Sequence, residues 1–150
     1  MSPSIETKAT SARSGETTEH RPTYTGKPYY PWWLDNLADD VTGEGAFMEG
    51  VAHGAEAVRS IVVTARGIYE GQEFSFVGNY GDNAFLELYT THLQGKPTSV
   101  VVTVTRNAAG QAQGVVVNHR PRSSVLLFRR LMGEKFAGTP IAKLFTTGES

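Results

Sequence analysis

Trp33-Leu34-Asp35-Asn36-Leu37-Ala38-Asp39-Asp40-Val41, followed by Gly50 and then His53-Gly54-Ala55-Glu56-Ala57-Val58-Arg59, is the stretch whose reading decides the fold. It reads as a short helix, a strand reached through paired aspartates, a glycine-punctuated turn and a second helix. Pro31 suits a first helical position, because it has no amide hydrogen to leave unpaired. The first helix is therefore placed at Pro31–Ala38, with Trp33, Leu34 and Leu37 on its buried side. The strand follows at Val41–Phe47, where Gly43 and Gly45 point to a bulge or an edge position. In Ala55–Tyr69, residues Ala55, Val58, Val62, Ala65 and Tyr69 recur at three- and four-residue steps, while Glu56, Arg59 and Arg66 fall elsewhere. That spacing predicts an amphipathic helix.

Downstream the period changes to two. Glu73–Tyr80 and Ala84–Leu93 are strand candidates separated by Tyr80-Gly81-Asp82-Asn83, and Gln94-Gly95-Lys96-Pro97 closes the second. Thr98–Arg106 and Gln113–Arg120 are valine-rich strands joined across Asn107-Ala108-Ala109-Gly110, a hairpin loop. Ser123 or Ser124 then caps a helix running to about Phe136, with Gly138 as its stop signal. Thr139-Pro140 opens a short segment holding Ile141, Leu144 and Phe145. The apolar residues of the longer helix (Val125, Leu126, Leu127, Phe128, Leu131, Met132) occupy several faces. Such a helix either covers its own sheet or packs on a second subunit. These elements predict an α+β domain at 27–122, in which a curved antiparallel sheet wraps around the N-terminal helices as a cone or part-barrel. Residues 123–150 add a helical extension. Residues 1–26, rich in Ser, Thr, Glu and Arg, are expected to form a disordered polar tail.

Composition narrows the function classes. One domain is the count expected for 150 residues with 39% hydrophobic content. A net charge of −1 argues against a general nucleic-acid binder or a partner of anionic membranes. Without cysteine there is neither a disulfide framework nor a thiolate metal site. No uninterrupted apolar run approaches the roughly 20 residues of a membrane span, and the amino terminus lacks a leader-like apolar region. A soluble cytoplasmic protein is expected.

Three motifs in order carry a family resemblance: Leu37-Ala38-Asp39-Asp40-Val41, then Gly54 with Ala57-Val58-Arg59, then Asn118-His119-Arg120-Pro121. Over Trp32–Pro121 the chain resembles the nuclear transport factor 2-like superfamily, especially its SnoaL-like and steroid-isomerase-like branches. The resemblance implies a cone-shaped domain of cystatin-like type, with one pocket open at one end, and homodimers paired through the sheet. Its members include isomerases, polyketide cyclases, epoxide hydrolases, dehydratases and proteins with no reaction. Steroid-isomerase-like members place a base aspartate a few residues beyond the Ala-Asp-Asp motif. Here Gly45 takes that place, and the adjacent Glu44 points to the opposite strand face.

The remaining chemistry lies on the strands. His119 stands beside valines near the end of the last strand, where the fold opens its pocket, and a neutral imidazole there can act as base or hydrogen-bond donor. The plainer alternative is a histidine satisfied by a backbone or cross-strand partner. Glu87, flanked by leucines, reads either as a pocket carboxylate with a raised pKa or as a group facing solvent or an arginine. Asp39 and Asp40 suit turn stabilisation. Trp32, Trp33, Tyr69, Phe85, Tyr89, Val117 and Phe128 are the candidates to line the pocket or fill it. No phosphate loop, nucleophile elbow or metal-ligand spacing is present, so no cofactor and no metal are expected. Two functions follow. One is a pocket protein binding a small apolar, oxygenated molecule, with isomerase, cyclase or lyase chemistry left open. The other is a non-catalytic homodimeric module whose pocket is filled by its own side chains.

Overall fold

In the computed structural model, which describes residues 21–146, the chain runs β1 (Thr23–Tyr24), β2 (Lys27–Pro28), a 3-10 turn at Trp32–Asp35, β3 (Leu37–Glu44), β4 (Ala52–His53) and α1 (Ala55–Ile68). It continues through β5 (Glu73–Tyr80), β6 (Ala84–Leu93), β7 (Lys96–Arg106), β8 (Ala112–Arg120) and α2 (Arg122–Lys135) to a closing 3-10 turn at Ala142–Phe145. All eight strands form one curved, unclosed sheet in the order β2-β1-β5-β6-β7-β8-β3-β4. The fold class is α+β, with both helices on one face.

Alternation decides which face that is. On β6, Phe85, Glu87, Tyr89, Thr91 and Leu93 are buried, and on β7 so are Thr98, Val100, Val102 and Val104. Helix α1 lays Val58, Ile61 and Ala65 against this inner face. Helix α2 adds Ser124, Phe128 and Met132, spaced four residues apart. Phe128 and Met132 have no exposed surface within the single chain. Of the two placements open to this helix, the chain itself therefore supplies the first: α2 covers its own sheet.

The sheet is mixed, whereas an antiparallel one was expected. β5 to β8 form an antiparallel meander, with Leu88 opposite Val101 and Val101 opposite Asn118. β3 runs parallel to β8, and β1 parallel to β5. Neither pair is joined by a hairpin, so no tight turn imposes the antiparallel direction.

Three further expectations are corrected. The helix placed at Pro31–Ala38 shrinks to the four residues Trp32–Asp35, because Leu37 and Ala38 are already drawn into pairing along β8. The strand accordingly starts at Leu37 rather than Val41. Asp39 and Asp40 do not form a turn. Both are exposed in mid-strand, where the register with β8 shifts between Leu37 and Thr42, and Asp40 accepts a hydrogen bond from the Gln113 amide at 2.9 Å. Lastly, the tail boundary at Gly26 falls too late. Thr23 and Tyr24 pair with Glu73 and Phe74, and Pro22 is fully buried. Backbone pairing on an open sheet edge orders this segment despite its polar side chains. Residues 1–20 lie outside the described residues.

Gly138, at φ +81°, terminates the α2 region in the left-handed conformation that glycine adopts without strain.

Candidate functional site

Between α1, α2 and the inner face of the sheet lies a cavity of about 40 Å3. On the scale of one water per 10–15 Å3, that is room for about three water molecules. Its walls are mostly apolar, and a few polar side chains converge on it: Glu87, Arg66, Gln72, Tyr69 and Tyr89.

Glu87 is the centrepiece. Its place in the inward set of β6 buries a carboxyl group that is 1% exposed, which removes the solvent-facing alternative. The Tyr29 hydroxyl donates to Oε2 at 2.6 Å and the Trp33 indole N–H donates to the same oxygen at 3.0 Å. Burial raises the carboxyl pKa above its ordinary value, while Tyr29, Trp33 and the charge of Arg66 pull it down. Burial is the largest of these effects.

A second arrangement surrounds His119. Its Nε2 lies 2.8 Å from the Tyr69 hydroxyl, and the ring packs against Phe128 at 4.3 Å and Phe47 at 5.6 Å. The Tyr69 ring in turn meets Tyr89 edge to face at 5.6 Å, and His119 Nδ1 is buried with no hydrogen-bond partner among the described residues. Burial lowers the imidazole pKa to about 4, so the ring is neutral at physiological pH. The same loss of solvent pushes Tyr69 and Tyr89 well above the usual phenol range.

The structure thus separates the two candidate catalytic residues. Glu87 lines the cavity; His119 does not, and stands one layer behind Tyr69 and Phe128, which do. Of the candidate lining residues, Trp33, Tyr69, Tyr89, Val117 and Phe128 form its walls. Trp32 and Phe85 are packed edge to face at 5.5 Å outside those walls, with the Arg106 guanidinium 4.7 Å from the Trp32 ring. Tyr29, Arg66 and Gln72 belong to the site without having been singled out. For Tyr29 the aromatic cluster before Trp33 is a usable signal. Arg66, four residues beyond Val62 on α1, was assigned to the outer face; its long stem carries the head group back to the mouth of the cavity. Nothing in the sequence marks Gln72.

Gly45 has a packing reason. A Cβ there would fall 2.0 Å from the Val117 carbonyl oxygen, so no side chain fits, and Glu44 beside it is exposed. Glu87 of β6 is the carboxyl group on the cavity wall.

Among solved structures, the chain is similar to a protein with a cystatin-like fold from Silicibacter pomeroyi DSS-3, described as uncharacterized and conserved in bacteria (TM-score 0.65, 17% identity, covering 70% of this chain and 74% of that one). It is equally similar to a steroid delta-isomerase from Pseudomonas aeruginosa (TM-score 0.65, 15% identity, 69% and 77%). A de novo designed protein with a curved β-sheet also matches (TM-score 0.53, 18% identity, 65% and 79%). At these identities the likeness shows the fold alone, a cystatin-like α+β fold with a curved sheet. No family profile matches the sequence, and no curated protein matches it either.

Proposed function

We propose that this protein binds a small, largely apolar, oxygenated molecule in the cavity, with Glu87 as the group that donates and recovers a proton. The observation that carries this reading is the placement of Glu87: a buried carboxyl on the wall of a cavity, with the Tyr29 hydroxyl and the Trp33 indole N–H both donating to Oε2. A neutral acid held in that way donates a hydrogen bond to a ligand oxygen and, on losing its proton, is stabilised by Tyr29, Trp33 and the nearby Arg66 charge. The reaction classes this supports are isomerisation, cyclisation or dehydration, each of which needs proton transfer beside a carbonyl or hydroxyl. His119 acts behind the wall, orienting Tyr69.

Cytoplasmic residence is part of the same proposal, in keeping with a chain free of cysteine. So is a homodimer. The outer face of the sheet carries Phe76, Leu86, Leu88, Val101 and Val116, and neither helix covers it.

One observation favours the second reading, a non-catalytic module with a filled pocket. Tyr69 and Phe128 stack at 5.4 Å with their planes 6° apart and leave space far below the 300–1,000 Å3 of ordinary ligand sites. A thermal-shift screen of oxygenated apolar compounds of two to six carbons, on wild type and Glu87→Gln, separates the two. The pocket reading expects at least one compound to stabilise the wild type and to lose that effect in the variant. If none raises the melting temperature, the filled-pocket module is the correct description.

A further inference from the structure

A second, smaller cavity adjoins the first. Its volume is about 20 Å3, and Phe47, Ile61, Val62 and Val117 line both spaces. It lies between α1 and the β8–β3 end of the inner face, with Val58 of α1 and Val115 of β8 in its walls. The exposed Glu44 and the half-buried Met48 mark its outer end. The register of the sheet sets the two spaces in line: Glu87 stands opposite Val102, and Val102 opposite Val117. From β6 to β8 is two strand spacings, about 10 Å. Polarity differs sharply between the ends of this path. Glu87, Gln72, Tyr69 and Tyr89 gather at the first space, whereas apart from Glu44 the side chains around the second are apolar. A space of that size holds one or two water-sized groups, and walls without polar partners favour carbon over water.

We propose that the two spaces together hold one unbranched molecule, a chain of about four carbons with its oxygen at one end, of the primary alcohol or aldehyde class. The oxygen meets Glu87, and the tail passes Phe47 and Val117 into the second cavity. This assignment rests on the cavity reading above and names its ligand class. About three groups in the first space and one or two in the second allow roughly four or five non-hydrogen atoms in all. An unbranched chain distributes those atoms along the path. A compact isomer crowds its carbons beside the oxygen, where the first space is already full, and leaves the second empty. Each methylene that reaches the second space leaves water for an apolar wall, so affinity rises with chain length until that space is filled.

The test titrates ethanol, 1-butanol and its compact isomer tert-butanol into the full chain. A hydroxyl both donates and accepts, so these probes pair with Glu87 whether or not the carboxyl carries its proton. Two NMR signals are followed: the Trp33 indole N–H, assigned with Trp32→Phe, for the first space, and the Met48 methyl group, assigned with Met48→Leu, for the second. At roughly three- to fourfold per buried methylene, 1-butanol should bind about tenfold tighter than ethanol, and about fivefold or more tighter than tert-butanol. Of the three, 1-butanol alone should move the Met48 signal. Val115 lines the second space and not the first. Val115→Ile adds a methyl group there and should cut the advantage of 1-butanol over ethanol to about threefold or less. If the two isomers bind equally, if Met48 does not respond to 1-butanol, or if Val115→Ile keeps the full advantage, the tail assignment is wrong while the cavity reading stands. If none of the three alcohols moves the Trp33 signal, the cavity reading fails with it. Should Val115→Ile not fold, the wild-type comparison of the isomers decides alone.

Discussion

Acidifying the protein from pH 7 to about pH 5 should cost it about 2 kcal/mol through His119 alone. The imidazole falls from an ordinary 6.5 to about 4 because it is 6% exposed, with Phe47 and Phe128 against its ring. Each factor of ten in proton affinity is worth about 1.4 kcal/mol, so forcing a proton onto the folded ring costs about 3 kcal/mol in full. The unfolded chain takes up that proton through 6.5 and the folded chain only near 4. Stability therefore falls as pH drops across this window and levels off below it. At about pH 5 roughly 2 kcal/mol of the total has been lost. Glu87 acts in the opposite sense: its raised folded pKa makes the folded chain bind a proton first, so its contribution grows as pH falls towards 4.5. The difference between wild type and His119→Gln isolates the imidazole, since every other titrating group cancels. Urea unfolding of both proteins at pH 7 and pH 5 should show the wild type losing about 2 kcal/mol more, or roughly 8 °C in melting temperature. Equal losses in the two proteins, or an NMR titration placing the His119 pKa above 6, would refute this account of the buried ring.

Glu87→Gln should change stability by less than about 1 kcal/mol at pH 7, because a neutral amide oxygen still accepts from Tyr29 and Trp33, whereas Glu87→Leu strands both donors and should cost about 2–5 kcal/mol by denaturant unfolding. Phe128→Ala removes the ring stacked between Tyr69, His119 and Phe47 and should cost about 3–5 kcal/mol. Benzene or phenol should recover part of that loss in a thermal-shift assay by entering the enlarged cavity. Sedimentation at micromolar concentration should give about twice the 16.3 kDa chain mass, and Val101→Lys on the outer face should return it to one; a wild-type monomer would overturn the dimer.

What could be read from the residues was whatever local periodicity determines. Glu73–Tyr80 and Ala84–Leu93 were placed to the residue, because turn chemistry brackets each run and burial alternates along β6. The α1 helix differs by one position, since Tyr69 leaves the helical conformation at φ −63°, ψ 136°. β1, β2 and β4 have two residues each, too short for a periodic pattern to mark them. They exist because an edge of the sheet was available. Trp32–Asp35 shows the same dominance of distant pairing over local preference. For the site, the residues left Glu87 open between pocket and solvent, and only its place in the buried set of β6 put it inside beside Tyr89. Alternation does not say how far along the inner face each side chain lies, and this distance excludes His119 and Phe85 from the cavity walls. Tyr29 reaches Glu87 across 58 positions of sequence, a contact no local pattern encodes.

The parallel seam between β3 and β8 has a kinetic consequence. Strands β5 to β8 join through tight connections, such as the turn that sets Leu93 opposite Lys96, whereas Thr42 meets Gly114 only after 72 intervening steps of chain. Closing a loop of that length instead of a four-residue one costs about 2–3 kcal/mol of additional chain entropy. The meander is thus the early-forming unit, and the N-terminal third condenses onto it afterwards. Glu87 belongs to the first event, while Tyr29 and Trp33 arrive with the second. Throughout folding the carboxyl group remains in water until its two donors close over it, and the chemistry of the cavity comes into being only in the last step of assembly.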